Sequence, residues 1–255
     1  VRLTGTVLRN ADLSGALLNS ARLYRADLSG AIIKGTSLAR TTTELSFAQL
    51  QSTASYQAHD LEGINLSDNN MPGWDFSGQN LRHALIIGAH LDDADLSGSN
   101  LTGANLDNTD FTGAHFAGAI LNGAQIQSSS FEGTTGLGFT FQQFSSTQTY
   151  QSGLLHRMDL SRNDMTGWDL SGQFIQNVSF EWSVLAGSDL SGARLEQVKL
   201  KGVDLTGAVI TGAQFIKSGL SFEQMQGTAD YQAGRLDGLG IIQSGLSGWD
   251  LHNQS

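Results

Sequence analysis

From Leu61 to Phe131 a large apolar residue returns at every fifth position without a missed beat. That period fits neither the alternation of a strand nor the 3.6-residue turn of a helix, so the run is neither a plain sheet nor an amphipathic helix. A fixed short repeat of this kind means a solenoid, in which one small unit is laid down again and again. The stretch Ala94–Leu121 shows the unit in its plainest form. Leu96, Leu101, Leu106, Phe111, Phe116 and Leu121 hold the beat, a small residue usually stands two positions before each, and a glycine often stands two after.

The same rule governs three further blocks, each offset in register from the next. The first places Leu3, Leu8 and their successors to Leu38 at the central position, the third runs from Leu155 to Leu220, and the fourth holds Leu236, Ile241, Leu246 and Leu251. Across 8, 15, 14 and 4 central positions every residue is Leu, Ile, Phe or Met. In an extended segment residues two apart face the same way. The central residue and the one two before it, such as Leu106 and Ala104, therefore point inward. The remaining Asp or Asn and Ser or Thr face outward, and glycine makes the corner because it accepts positive φ without steric cost. If each unit turns the chain by about a right angle, four units close one coil.

Composition narrows the functional classes. A net charge of -10 argues against a basic surface for phosphate backbones or anionic membranes, so no direct binding of nucleic acid is expected. The absence of cysteine excludes disulfides and thiolate metal sites. Gly 31 beside Pro 1, with the glycines periodic, speaks for order. No apolar run reaches the roughly 18 residues that a membrane span needs. At 255 residues a stacked array needs no division, so a single domain is expected.

The units ADLSG at 11–15, 26–30 and 94–98, TDFTG at 109–113 and SDLSG at 188–192 resemble those of the pentapeptide-repeat family. That resemblance implies an all-β fold, a right-handed quadrilateral parallel β-helix of about twenty residues per coil and about ten coils. Blocks 1–40, 59–133, 153–220 and 234–253 would form one solenoid, 1–255, broken by three short helical interruptions at 44–57, 138–151 and 220–232.

The interruptions resemble one another: LSFAQLQSTASYQ from Leu45, FTFQQFSSTQTYQ from Phe139 and LSFEQMQGTADYQ from Leu220. Phe47, Phe141 and Phe222 are each followed three residues later by Leu50, Phe144 or Met225, and preceded by Ser46, Thr140 or Ser221 as N-cap candidates. This spacing predicts a helical turn or two. Each interruption is followed by a second shared stretch, GWDFSGQNL, GWDLSGQFI or GWDLHNQS, in which Trp74, Trp168 and Trp249 take the inner place that alanine usually fills. These indoles, with Tyr56, Tyr150 and Tyr231, are expected to fill or cap the space beside a helix rather than to bind a ligand.

If coils repeat every twenty residues, Asp75, Asp95 and His115 form one outward column and Asn70, His90 and Asp110 another. Carboxylate beside imidazole can ligate a metal or relay a proton, yet the expected role is a solvated polar ladder on a convex wall. No nucleophile elbow, phosphate loop or paired-acid cleft occurs. No catalytic, cofactor-binding or metal residue is therefore assigned, and no enzyme is expected. The preferred function is a structural or protein-interaction scaffold whose partner is another protein. The alternative, from resemblance to pentapeptide-repeat proteins that engage DNA gyrase, is a DNA-mimicking modulator of gyrase or topoisomerase. The chain starts and stops in register, as a piece of a longer protein would. Uncapped strand edges offer an end-to-end homodimer, and the superrepeat resembles those of large exported bacterial proteins, favouring an extracellular location.

Overall fold

The computed structural model describes residues 1–41, 44–242, 248–249, 251–252 and 254. Leu246, one of the expected central residues, lies outside the described residues. The chain divides into two compact units, where sequence pointed to one domain: Val1–Ser130 with Leu137–Gln148, and Phe131–Gly136 with Thr149–Ser255. The division falls at the second interruption.

In each unit the five-residue element becomes one side of a coil. Leu96 points in, Ser97 and Gly98 make the corner, and the Ser99 N–H closes it on the Leu96 carbonyl at 3.0 Å. Gly98 has a φ of 65°, a left-handed value that glycine adopts at little cost. The strand groups then bond to the coil above and below: the Leu96 N–H reaches the His115 carbonyl at 2.9 Å, and the Asp95 N–H reaches the Trp74 carbonyl at 3.0 Å. All inter-coil pairing is parallel, and its usual offset is twenty residues, as in Asp75 with Asp95.

Each unit is thus a parallel β-solenoid. In the first, one ladder runs Leu17, Ser37, Asn65, Leu85, Asn105, Gln125. In the second, strands β1 (Leu154–His156), β2 (Phe174–Gln176), β3 (Arg194–Glu196), β4 (Gln214–Ile216) and β5 (Gly240–Ile242) form a five-stranded parallel sheet in chain order. Six rungs in one unit and five in the other differ slightly from the expected ten coils.

The interior follows the beat. Every central residue from Leu61 to Phe131 and from Leu155 to Leu220 is buried. Phe111 and Phe116 meet edge to face with centroids 5.4 Å apart, a geometry that adds to simple area burial. The rule weakens where a coil is covered on one side only. Leu3, Leu8 and Leu13 are half-buried, as are Leu236 and Ile241, and Leu251 is 42% exposed. The inward assignment of these positions is therefore corrected to a partial one.

Two buried asparagines stand where alanine is usual. The Asn69 side chain accepts from the Thr41 N–H at 2.7 Å and donates to the Leu38 and Leu66 carbonyls. Asn163 repeats this with Thr135, Phe131 and Leu160. Each serves three backbone groups that a neighbouring strand would otherwise have paired, so the interruptions leave no orphaned groups there.

Candidate functional site

The interruptions are built from their caps inward. Helices α1 (Phe47–Gln51), α3 (Phe141–Ser145) and α5 (Phe222–Gln226) start at Ser46, Thr140 and Ser221, whose hydroxyls accept from the N–H of Gln49, Gln143 and Gln224. The same glutamines return the bond, accepting from the cap N–H at 2.8, 2.8 and 3.0 Å. This reciprocal box satisfies two N-terminal donors at once. Each glutamine also donates twice to the preceding coil: Gln49 to the Leu23 and Ala26 carbonyls, Gln143 to those of Phe116 and Ala119, Gln224 to those of Leu200 and Val203. One side chain thus caps a helix and fastens it to the solenoid wall.

A second turn follows in each: α2 (Ala54–Gln57), α4 (Gln148–Gln151) and α6 (Ala229–Gln232). In the first, the Ser55 hydroxyl accepts from the Ile33 N–H at 2.9 Å, replacing the carbonyl of a missing strand. Asp230 does the same for Ile210 and also takes the Thr211 hydroxyl at 2.7 Å. These two turns re-enter the ladder late, so that Ser37 pairs with Asn65 and Gln214 with Gly240.

The aromatics hold the helices down. Phe47 meets Trp74 at 5.2 Å and Tyr56 edge-on at 5.9 Å; Phe222 meets Trp249 at 5.4 Å and Tyr231 at 6.0 Å. Trp168 is buried, and the Tyr56 and Tyr150 hydroxyls donate to the Asp75 and Asp169 carbonyls at 2.7 and 2.8 Å. Burial, with the nearby carboxylate adding to it, raises both phenols above their ordinary pKa. These rings pack against one another and position the helices.

Beside the first helix of every interruption lies an open cleft. The three measure about 570, 510 and 800 Å³ and share two wall residues, the cap and its glutamine. Their remaining linings differ. Arg25, Glu44 and Trp74 face the first, Ile120 and Asn122 the second, and Lys199, Lys201 and Lys217 with Glu181 the third. Near the third cleft Trp182 is 55% exposed at a left-handed corner, φ 62°, with its ring over Gly202 and the Lys201 ammonium 5.4 Å from its centroid. The sequence pattern drew no attention to Trp182, because it occupies a corner and not an inner position.

The expected outward columns form as ladders: Asp75 pairs with Asp95 and Asp95 with His115, Asn70 with His90 and His90 with Asp110. Many of the acidic residues are held by the serine or threonine two residues on. The Ser14, Thr166 and Thr206 hydroxyls and N–H groups keep Asp12, Asp164 and Asp204 below the usual carboxylate range. For Asp27 the Ser29 hydroxyl and N–H, joined by Arg9, lower the pKa to about 2. Asp107 goes the other way, raised by burial although it accepts the Gln127 N–H at 2.7 Å.

A coil of four five-residue sides, stacked in parallel at an offset of twenty, defines a class of solenoid whose core tolerates little variety and whose outer face tolerates much. The chain belongs to the pentapeptide-repeat family: eight copies of the pentapeptide repeats model match, at residues 1–38, 60–98, 94–133, 164–202 and 188–221, well over half of the chain. No curated protein matches the sequence. Among solved structures the chain is similar to a trypsin-treated form of QnrB1, a plasmid-mediated fluoroquinolone resistance protein, at 17% identity over 95% of this chain and 92% of that one, TM-score 0.40. It is also similar to HetL, a pentapeptide repeat protein involved in heterocyst differentiation regulation from the cyanobacterium Nostoc sp. strain PCC 7120, at 20% identity over 99% and 92%, TM-score 0.22. A third is Rfr23 from the cyanobacterium Cyanothece 51142, at 18% identity over 77% and 95%, TM-score 0.20. The family assignment rests on the repeat match in the sequence itself.

Proposed function

We propose that this protein is a non-enzymatic interaction scaffold that engages protein partners through the clefts beside its interruptions. The observation that carries the reading is recurrence with variation. Three clefts share the cap and glutamine that build them, while the side chains facing solvent differ in charge and shape. A fixed frame with variable lining is how repeat proteins present binding surfaces, and on this reading recognition falls where the five-residue rule is suspended. Among the described residues no helix is long and apolar enough to cross a membrane.

A photo-crosslinking residue at Asn122, on the second cleft, compared with one at Thr102 on the regular wall, tests this in an extract of the source cells. Crosslinks to a defined protein from Asn122 and none from Thr102 are expected. Equal labelling from both sites would defeat the cleft reading.

A second reading, a DNA-mimicking modulator of gyrase or topoisomerase, is supported by the net charge of -10. Against it, the acidic columns are short: Asp75 and Asp95 give way to His115, and Asp169 and Asp189 to Val209. A supercoiling assay with purified gyrase separates the two. Inhibition or protection at micromolar protein would favour the mimic, and neither would eliminate it.

A further inference from the structure

We propose that His90, Asp92 and Asp110 form a binding site for a divalent transition-metal ion, with Zn²⁺ the best match. The column Asn70, His90, Asp110 was legible as a polar ladder, but Asp92 belongs to no such column. It stands at the turn two residues beyond His90, and the fold brings it in. One donor atom from each of the three, an imidazole nitrogen and two carboxylate oxygens, lie within 4.8 Å of one another, and no other such group converges among the described residues.

The donors are aimed by their surroundings. Asp110 commits one carboxylate oxygen to the Thr112 N–H at 3.0 Å and the Thr112 hydroxyl at 2.7 Å. Its other oxygen is left facing His90 Nδ1 at 3.8 Å. The backbones that carry the ligands are tied into the coil ladder. The His90 N–H reaches the Asn69 carbonyl at 2.9 Å, the Leu91 N–H the Asp110 carbonyl at 2.7 Å, and the Gly73 N–H the Asp92 carbonyl at 2.8 Å. Among the described residues the Asp92 carboxylate, half-buried, has no hydrogen-bond or ion-pair partner, and no lysine or arginine pairs with Asp110. Two carboxylates and one imidazole therefore converge, and a cation would complete the cluster.

The donor set decides the kind of ion. One nitrogen and two oxygens suit a borderline metal, whereas Ca²⁺ wants about six to eight oxygens. Three protein ligands with a water in the fourth place is the tetrahedral arrangement of an open Zn²⁺ site, with donors about 3.4 Å apart at the usual Zn–N and Zn–O distances. His90 Nδ1 and Asp110 Oδ2 stand 3.8 Å apart and the three donors lie within 4.8 Å of one another, and with the His90 side chain 61% exposed a rotation of the side chains would draw them onto an ion.

Calorimetric titration of the full chain with ZnCl₂ in a phosphate-free buffer tests the site, with His90→Ala and Asp92→Asn titrated alongside. All three positions face outward from the core, and circular dichroism verifies that the variants keep the fold. One equivalent bound by the parent, and affinity about tenfold or more lower in each variant, is expected. Substitution with Co²⁺ should give the intense visible absorption of a tetrahedral site, lost in His90→Ala. Absence of saturable binding by the parent, or binding unchanged in both variants, would overturn the assignment, the latter placing the ion on another histidine.

Discussion

The residue that sets the behaviour of the outer wall is the aspartate just before a central apolar residue. Where the serine or threonine two positions on holds its carboxylate, as at Asp12, Asp164 and Asp204, the folded pKa lies below the unfolded one. Such a group contributes stability above the unfolded value, and that stability is lost as pH falls through the folded value. Thermal midpoints should therefore drop on acidification, and Asp27, lowered from 3.8 to about 2, should be the last of them to protonate. Asp107 has the opposite sign. Burial raises its pKa, so the ionised form that prevails at neutral pH is disfavoured in the fold. Asp107→Asn, which keeps an acceptor for the Gln127 N–H, should melt higher than the parent at about pH 7 and level with it at about pH 3, where the parent carboxyl is protonated. A variant that melts lower at neutral pH would show that the charge itself is needed.

At the scale of the element, the helices of the interruptions are too short to persist alone; their side chains fasten them. Gln143 is the test case, since it accepts from the Thr140 N–H and donates to the Phe116 and Ala119 carbonyls. Gln143→Ala should cost about 1–3 kcal/mol, the range expected when buried partners are left unmade. Hydrogen exchange should quicken at the amides of α3 while those of Leu96 and Leu101 in the wall stay protected. Uniform loss of protection would mean that the interruption and the wall unfold as one body.

How much of this could be read beforehand depends on which force sets each position. The caps Ser46, Thr140 and Ser221 and the apolar pairs such as Phe47 with Leu50 were legible, because capping and i, i+3 contacts are local and leave a fixed spacing. The glutamine three residues after each cap was not singled out, although it fits a capping-box signature, and its second task, donating to a coil more than twenty residues earlier, has no local mark. Asn69 and Asn163 were hidden for the same reason, since their partners Thr41 and Thr135 are set by the length of the insertion. Asp92 escaped because columns were read at intervals of twenty and it joins its neighbours diagonally. Trp182 escaped because corners were read as places for glycine.

Across the whole chain the five-residue beat separates two kinds of position. Inward residues are fixed by packing, and outward residues are left open to vary, so pentapeptide-repeat membership specifies the wall and not the outer face. That separation is the claim on which the rest depends. Its most direct measurement is thermal unfolding, followed by circular dichroism, of Leu106→Asp beside Thr102→Asp. Leu106 is fully buried, while Thr102 is part-exposed and bonded to Asn100 on its own turn. A carboxylate at Leu106, with no partner to offset its desolvation, should abolish cooperative unfolding. At Thr102 it should leave a sharp transition, within about 0.5 kcal/mol of the parent. A cooperative, unshifted melt for Leu106→Asp, or equal damage from both substitutions, would contradict the inward assignment.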